Sequence, residues 1–114
     1  MRYLALIYGD ETVPMTKEDA DKMLPAYEQF GKDATEAGVI RGGDALQPTT
    51  TATTVQVRGG KTTTTDGPFA ETKEQLGGYY ELDCKDLDEA ILWASKIPGA
   101  ASGRVEVRPI MEFS

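Results

Sequence analysis

The chain contains no histidine and only one cysteine, Cys84, among its 114 residues. The absence of imidazole excludes Ser-His-Asp and Cys-His catalysis and any histidine general base. A single thiol cannot form a disulfide within the chain, and it favours a reducing compartment. Histidine and cysteine are the main ligands of zinc, so we expect no transition-metal site, and we assign no cofactor. Any catalysis must therefore use carboxylates, lysine, tyrosine, arginine or backbone groups.

Positive charge and long apolar runs are also scarce. Lysine and arginine total 12 against 19 aspartates and glutamates, which gives a formal net charge of −7. Such a surface repels phosphate backbones, so a nucleic-acid partner is not expected. No apolar run approaches the ~20 residues that a membrane helix needs, and the first residues lack the longer apolar stretch of a signal peptide. We therefore expect a cytoplasmic chain with no membrane partner, folded as a single domain over residues 1–114.

The first third of the chain reads as a strand followed by a helix. Residues 2–8 are almost continuously apolar, which is typical of a central strand that is covered on both faces. Apolar residues then recur at helical spacing, and Thr16 is placed to cap the helix at its N-terminus. Pro25 interrupts this pattern, because proline removes a backbone hydrogen bond and clashes with the preceding turn. The sequence therefore predicts an opening turn at 17–23 and a main helix at 25–37.

The rest of the chain reads as a hairpin and a second strand–helix–strand unit. Nine threonines lie between residues 49 and 65. Because β-branched residues favour strands and Gly59-Gly60 suits a tight turn, this segment predicts an exposed β-hairpin. The other predicted elements are a strand from Val39, a strand at 76–84, a helix at 87–96 with Leu87, Ala90, Ile91 and Ala94 on its inner face, and a strand at 104–110.

This order of elements predicts an α+β fold. Two strand–helix–strand units with right-handed crossovers give a ferredoxin-like antiparallel sheet with both helices on one face. Successive residues of the first strand, such as Tyr3 and Leu4, are apolar on both sides of the sheet. The second face must therefore be covered, and a second copy of the chain is the simplest cover. We expect a homodimer.

Residues 65–80 begin with Thr-Asp-Gly-Pro-Phe and end with Gly-Gly-Tyr-Tyr. This segment resembles the signature of the YCII-related superfamily, in its DGPF-domain branch. The flanking segments 2–8, 42–46, 88–91 and 105–110 also resemble the family, so the resemblance covers nearly the whole chain. It implies the ferredoxin-like fold in its dimeric α/β barrel form.

The resemblance implies two kinds of function. The superfamily includes small ring-modifying enzymes such as isomerases and dehydrohalogenases, and related members carry a proposed His–Asp pair with the histidine on the first helix. Tyr27 takes that position here, so the pair is not carried over. The DGPF branch is also commonly encoded beside, or fused to, extracytoplasmic-function sigma factors, which implies a regulatory context.

Asp44 and Asp66 are the candidate catalytic residues, because each lies beside glycines in a motif that carries the resemblance. A carboxylate that is sheltered in a pocket can act as a general base. The alternative for Asp66 is structural, with its carboxylate accepting backbone N–H bonds ahead of Gly67 in a turn. For Asp44 the alternative is a polar residue at the end of a strand.

The candidate ligand-binding residues have aromatic or cationic side chains: Tyr8, Tyr27, Phe69, Lys73, Tyr79, Tyr80 and Arg108. A phenol can orient a ligand or protonate an enolate, and a buried structural tyrosine is the alternative. Phe69 serves either as a pocket wall or as a core or interface anchor, and Lys73 either binds an acidic ligand or is solvated. Arg108 either anchors an anion at a dimer cleft or pairs with a neighbouring glutamate. Adjacent tyrosines in a strand face opposite sides of the sheet.

We therefore expect a small dimeric protein that binds a small organic ligand near the 66–69 turn, with lyase or isomerase chemistry carried out without histidine. The alternative is a non-catalytic accessory protein that acts by protein contact, with an extracytoplasmic-function sigma factor as a candidate partner. An enzyme needs an acid or base inside a concave site, whereas an interaction protein shows an exposed apolar patch.

Overall fold

The computed structural model of the protein describes residues 1–113. Its strands are β1 (Arg2–Gly9), β2 (Ile40–Ala45), β3 (Thr53–Arg58), β4 (Lys61–Asp66), β5 (Gln75–Asp83) and β6 (Arg104–Pro109). Its helices are α1 (Lys17–Glu36), α2 (Leu87–Ser95) and α3 (Gly99–Ser102), and a 3₁₀ turn covers Thr49–Thr51. Within these residues, none of the helices is both long enough and apolar enough to cross a membrane.

The main sheet has the strand order β2-β5-β1-β6, and its neighbouring strands are antiparallel. The α+β class is confirmed, and this order is compatible with a ferredoxin-like fold. Helices α1 and α2 both supply residues to one core cluster, which also contains the sheet residues Tyr3, Ala5 and Leu82. These three residues share one face, because Tyr3 lies opposite Leu82 and Ala5 is two positions further along β1. Both helices therefore cover the same side of the sheet.

Helix α1 corrects the two-part prediction, because it runs without a break through Pro25. The N-terminal cap is as predicted, since the backbone N–H of Asp19 donates to the Thr16 hydroxyl at 3.1 Å. Pro25 is exposed, so water can replace the hydrogen bond that its missing N–H would have made. Beyond it, Phe30 and Ala34 are buried against the core. The continuous apolar face therefore outweighs the local cost of the proline.

Helix α2 begins at a side-chain cap, where the N–H of Glu89 donates to the Asp86 carboxylate at 2.9 Å. Its inner face differs from the prediction. Ala90 and Ala94 are buried, but the other two predicted positions, Leu87 and Ile91, are 49% and 51% exposed.

Helix α2 is thus rotated about its axis relative to the prediction, because of an aromatic contact in the core. The Trp93 ring packs edge-on against Phe30 at 6.4 Å between centroids. Turning the large indole inward rotates the helix, and this moves Leu87 and Ile91 toward solvent.

The second face of the sheet carries no helix in the described chain. Leu4 and Leu6 lie on it, opposite Glu81 and Tyr79 of β5, and both leucines are only partly buried. A charge on this face is already paired within the chain, since the Arg2 guanidinium lies 2.8 Å from the Glu81 carboxylate. We call this surface the open sheet face.

The threonine-rich segment forms the predicted hairpin, with β3 paired to β4 in a separate two-stranded sheet. Gly59 and Gly60 have φ values of 57° and 75°, as a type I′ turn requires at both central positions. At the base, the N–H of Gly67 donates to the Ala52 carbonyl at 2.7 Å, and the Thr54 hydroxyl donates to the Gly67 carbonyl at 2.8 Å. We call residues 53–66 the hairpin arm.

Candidate functional site

A large cleft lies between the first half of α1 and the adjoining ends of the strands, with a volume of about 1120 Å³. We call it the α1 cavity. Its walls come from the end of β1 and the loop that follows, the first half of α1, the end of β2, the start of β5, and α3 with the proline before it. Mostly apolar side chains and glycines line it, so the cavity suits a molecule with an apolar body.

Two strand glycines form part of the cavity wall where β2 meets β5. A Cβ atom on Gly43 would lie 2.6 Å from the carbonyl oxygen of Tyr79 and 2.6 Å from Cδ1 of Tyr80. A Cβ on Gly78 would lie 3.0 Å from the carbonyl oxygen of Asp44. The two backbones can pair this closely only because both positions lack a side chain, which also leaves the adjoining space to the cavity.

The phenols of Tyr27 and Tyr80 are half-buried in this wall. Burial raises the pKa of both tyrosines above the ordinary value of 10.0, and a backbone hydrogen bond from Gly99 opposes the effect at Tyr27. Tyr80 is fixed by Phe30, whose ring centroid lies 5.0 Å away. Both phenols are therefore neutral near pH 7, and each can donate a hydrogen bond into an apolar site.

Asp44 and Tyr79 form a hydrogen-bonded pair at the cavity edge, on the side of the sheet opposite to Tyr80, where the Tyr79 hydroxyl donates to Oδ2 of Asp44 at 3.1 Å. This hydrogen bond, together with the negative charge of Asp44, raises the pKa of Tyr79. The pair places a carboxylate and a phenol side by side, so one group can accept a proton while the other donates one.

Carboxylates form the rim of the cavity in the loop after β1. The hydroxyl and the backbone N–H of Thr12 donate to Asp10 and lower the pKa of that carboxyl. The positive charge of Lys73 lowers this pKa further. The backbone N–H and the hydroxyl of Thr49 donate to Glu11 at 3.1 Å and 2.7 Å. These bonds fix the rim and tie it to the segment that leads into the hairpin arm.

The structure brings together five of the residues singled out from the sequence. The cavity is lined by Asp44, Tyr8, Tyr27, Tyr79 and Tyr80. Their strands and helix converge because β1, β5 and β2 are neighbours and α1 crosses them.

The other four candidates lie away from the cavity lining. Asp66 is the exposed last residue of β4, and Phe69 is 89% exposed in the loop that follows. Lys73 is exposed near the rim, where its charge acts on Asp10. Arg108 lies on β6 opposite Leu4, with Nε 3.9 Å from Glu106.

The 66–69 turn, where the sequence placed the pocket wall, does not line the α1 cavity. Gly67 has a φ of 100° and is hydrogen-bonded to the start of β3, so the turn closes the hairpin arm. A part for this turn in ligand binding stays a prediction.

Apart from Tyr27, sequence reasoning missed the cavity residues of α1 and α3. Met23 lines the cavity, although the prediction placed it in a separate opening turn. Gly99 is another, since a Cβ there would lie 2.8 Å from the Tyr27 hydroxyl and 2.8 Å from Cγ2 of Ile7. The available signal was the glycine after Pro98, since a glycine that is not required for a turn often marks a close approach.

Among residues 1–113, no group of three or more histidine, cysteine, aspartate or glutamate side chains is arranged to hold a metal ion. The functional groups of the site are therefore phenols, one carboxylate–phenol pair and the carboxylates of the rim.

Comparison with known proteins shows similarity along almost the whole chain. The family model described as the YCII-related domain matches residues 1–114. An uncharacterized protein of Rhizobium meliloti (strain 1021) is 40% identical over 114 residues, which covers 96% of this chain and 92% of that protein.

Proposed function

We propose that this chain, which belongs to the YCII-related family, binds a small organic molecule in the α1 cavity. The observation that carries the proposal is the cavity itself, which has a volume of about 1120 Å³, a mostly apolar wall and two neutral phenols. Ligand pockets in proteins usually measure about 300–1,000 Å³ and combine apolar walls with a few fixed polar groups. Membership of the DGPF branch and a cytoplasmic location stay predictions from the sequence.

The charges around the cavity narrow the chemistry of the ligand. The cavity lining carries the carboxylates Asp10, Glu11, Asp19 and Asp44 against the cation Lys22, which is paired with Glu18, and the whole chain has a net charge of −7. An anionic ligand would be repelled, so we infer a neutral or cationic one. Tyr27 and Tyr80 supply O–H donors, which favour a ligand with an acceptor such as a carbonyl oxygen.

Isomerisation by proton transfer is the catalytic form of this proposal. Asp44 would take a proton from a carbon beside the ligand carbonyl, and its hydrogen-bonded neighbour Tyr79, on the same face of the sheet, would stabilise the enolate oxygen by hydrogen bonding. The same proton would then return to a different carbon, so the reaction needs no other reagent. The hydrogen bond between Asp44 and Tyr79 favours this role, because it holds the carboxylate at the cavity edge.

We further propose that two copies associate through the open sheet face. Leu4 and Leu6 give this face an apolar centre, and the Arg2 and Glu81 charges beside them are already paired. Burying paired charges costs less than burying isolated ones. The dimeric α/β barrel form would result if the two sheets pack face to face.

Contact with a different protein, such as an extracytoplasmic-function sigma factor, is the alternative function. It is favoured by apolar side chains that are exposed outside the cavity: Val55, Val57, Phe69, Met111 and Phe113. Under this alternative, a purified sigma factor would bind the protein, and a charge placed inside the cavity would leave that binding unchanged.

The binding proposal is tested with the neutral fluorescent probe N-phenyl-1-naphthylamine. We expect saturable fluorescence with one site per chain, and loss of the signal in Met23→Glu, because this variant places a charge in the apolar cavity. Leu87→Glu is the matched control, since Leu87 is exposed on α2 and does not line the cavity. Equal probe binding by both variants would mean that the cavity is not the site.

The phenols are tested by displacing the probe with acetophenone, a neutral aromatic ketone. We expect acetophenone to bind Tyr27→Phe about 2- to 10-fold more weakly, which corresponds to one neutral hydrogen bond. Displacement by naphthalene, which has no acceptor, should be unaffected. Equal losses for both compounds would show that the substitution acts on shape and not on hydrogen bonding.

A further inference from the structure

The hairpin arm receives little support from its own chain. A two-stranded hairpin alone is at best marginally stable in water. Apart from Thr54, which is half-buried, every residue of β3 and β4 is exposed. Val55 and Val57 are 61% and 55% exposed. A hairpin of this kind normally needs another surface to pack against.

One side of the hairpin arm is suited to packing. Val55 lies opposite Thr64, and Val57 lies opposite Thr62. Because side chains alternate along a strand, these four residues share one side and present β-branched groups with methyls to solvent. The charged Arg58 and the polar Gln56 fall on the other side.

The overall dimensions show that the arm extends away from the domain. The Cα radius of gyration is 16.1 Å, whereas a compact chain of this length has about 13 Å. The principal extents are 47 × 47 × 18 Å. Each arm strand has six residues and therefore spans about 20 Å. The tip of the arm is thus free to contact another molecule.

The charge of the arm tip is opposite to that of the chain. Arg58 and Lys61 flank the turn of the arm, whereas the net charge of the chain is −7. The cavity rim is the complementary surface, because it carries Asp10 and Glu11. It also carries three exposed apolar side chains, with 64%, 53% and 65% exposure: Val13, Met15 and Leu24.

The arm cannot place its tip on the rim of its own chain. Thr49 binds Glu11, so the segment that leads into the arm is held at that rim. The strands then carry the tip about 20 Å away. The cationic tip can therefore reach an equivalent rim only on a second copy.

We propose that the hairpin arm of one copy lies across the mouth of the α1 cavity of a second copy. Val55 and Val57 would cover the apolar rim, and the long side chains of Arg58 and Lys61, which start from the other side of the arm, would reach around the glycine turn to the rim carboxylates. The inference rests on the proposed homodimer and makes the ligand site composite, because each cavity is then closed by the other chain.

The first test is cross-linking of an equal mixture of unlabelled and ¹⁵N-labelled protein. A carbodiimide joins the Lys61 amine to a nearby carboxylate as an amide with loss of water. We expect peptides of mixed label that join Lys61 to Asp10, Glu11 or Asp19. Lys61→Arg keeps the charge but not the reactive amine, so it should remove these cross-links and leave the dimer intact.

The second test compares charges on the two sides of the arm. We expect Val55→Glu/Val57→Glu to raise the dimer dissociation constant at least 10-fold, whereas Gln56→Glu/Thr63→Glu should change it less than 2-fold. Suppose that the wild type is a dimer, but both double variants have the same dissociation constant or Lys61 is cross-linked only within its own copy. Either result would overturn the inference about the arm and would leave the proposed dimer unaffected. If the wild type were a monomer, both the inference about the arm and the proposed homodimer would be overturned. The same holds for a monomer that binds a sigma factor through the arm. Probe binding in the α1 cavity is measured separately and decides the ligand proposal.

Discussion

The Tyr79 phenol and the Asp44 carboxylate are joined by a 3.1 Å hydrogen bond on neighbouring strands. The pairing follows from register, because Asp44 and Tyr79 lie directly opposite each other in β2 and β5. The sequence places an aspartate and a tyrosine in two separate motifs, but it does not show that they meet. Register is a property of the sheet, so this contact appears only in the folded chain.

We predict that Asp44→Asn lowers the pKa of Tyr79 toward its ordinary value of 10.0, because the variant removes the charge that stabilises the protonated phenol. A raised pKa in the folded state means that the stabilising contribution is complete below the unfolded pKa of Tyr79 and is lost as the pH rises above it. The stability of the wild type should therefore fall more steeply in alkali than that of the variant. The pKa is measured by NMR titration of the tyrosine ring carbons.

The control for this prediction is Asp66→Asn, which removes one carboxylate at the end of β4 and has no hydrogen bond to Tyr79. It should leave the titration of Tyr79 unchanged. If both variants shifted the titration equally, the cause would be the net charge of the protein and not the hydrogen bond.

At the scale of elements, strand β2 depends on its glycines in unequal ways. A Cβ on Gly43 would lie 2.6 Å from the carbonyl oxygen of Tyr79, whereas a Cβ on Gly42 would meet nothing within 4 Å. Only Gly43 is therefore required for the close approach of β2 to β5. The two adjacent positions make a matched pair.

We predict that Gly43→Ala lowers the free energy of unfolding by about 1–3 kcal/mol, because the new methyl group forces the β2 backbone away from β5. Gly42→Ala should change it by less than about 0.5 kcal/mol. Urea unfolding measures both. Similar losses in the two variants would show that the cost is not specific to Gly43 and its contact with Tyr79.

The sequence predicted those elements that are governed by local rules. The hairpin arm follows from β-branched residues around a glycine turn, and the helix cap at Thr16 follows from a side chain that bonds one of the first free N–H groups. The path of α1 through Pro25 was not predictable in this way, because it depends on burial of the residues on both sides of the proline.

The candidate site was predicted only in part, for a similar reason. The tyrosines were recognised by residue type, and four of them do line the cavity: Tyr8, Tyr27, Tyr79 and Tyr80. Because of the motif around Asp66 and Phe69, we expected the pocket at the base of the hairpin arm, but Phe69 is exposed there. The wall formed by Met23 and Gly99 depends on how α1 and α3 pack, which no local pattern specifies.

At the scale of the whole molecule, the sheet is covered unequally. The core cluster lies on the side of Tyr3 and Ala5, which are 2% and 0% exposed. The alternate residues Leu4 and Leu6 are only partly buried on the open sheet face. The apolar character of β1 on both sides, seen first in the sequence, therefore corresponds to one closed face and one that lacks a layer.

We predict that light scattering at micromolar concentration gives a mass twice the 12.4 kDa of the chain. Leu6→Lys should shift the protein toward the monomer, because it places an unpaired charge at the centre of the open sheet face. Leu92→Lys is the control, since Leu92 is 53% exposed on α2 and lies away from that face. A wild-type mass of 12.4 kDa would rule out the dimer.

The near independence of the hairpin arm has a consequence for divergence between related chains. Its exposed residues contribute little to the core, so substitutions there carry little cost in folding. Under the proposed arrangement, the same residues decide which chains associate. Self-recognition is thus separated from stability, and after a gene duplication two copies can stop mixing through changes confined to residues 53–66.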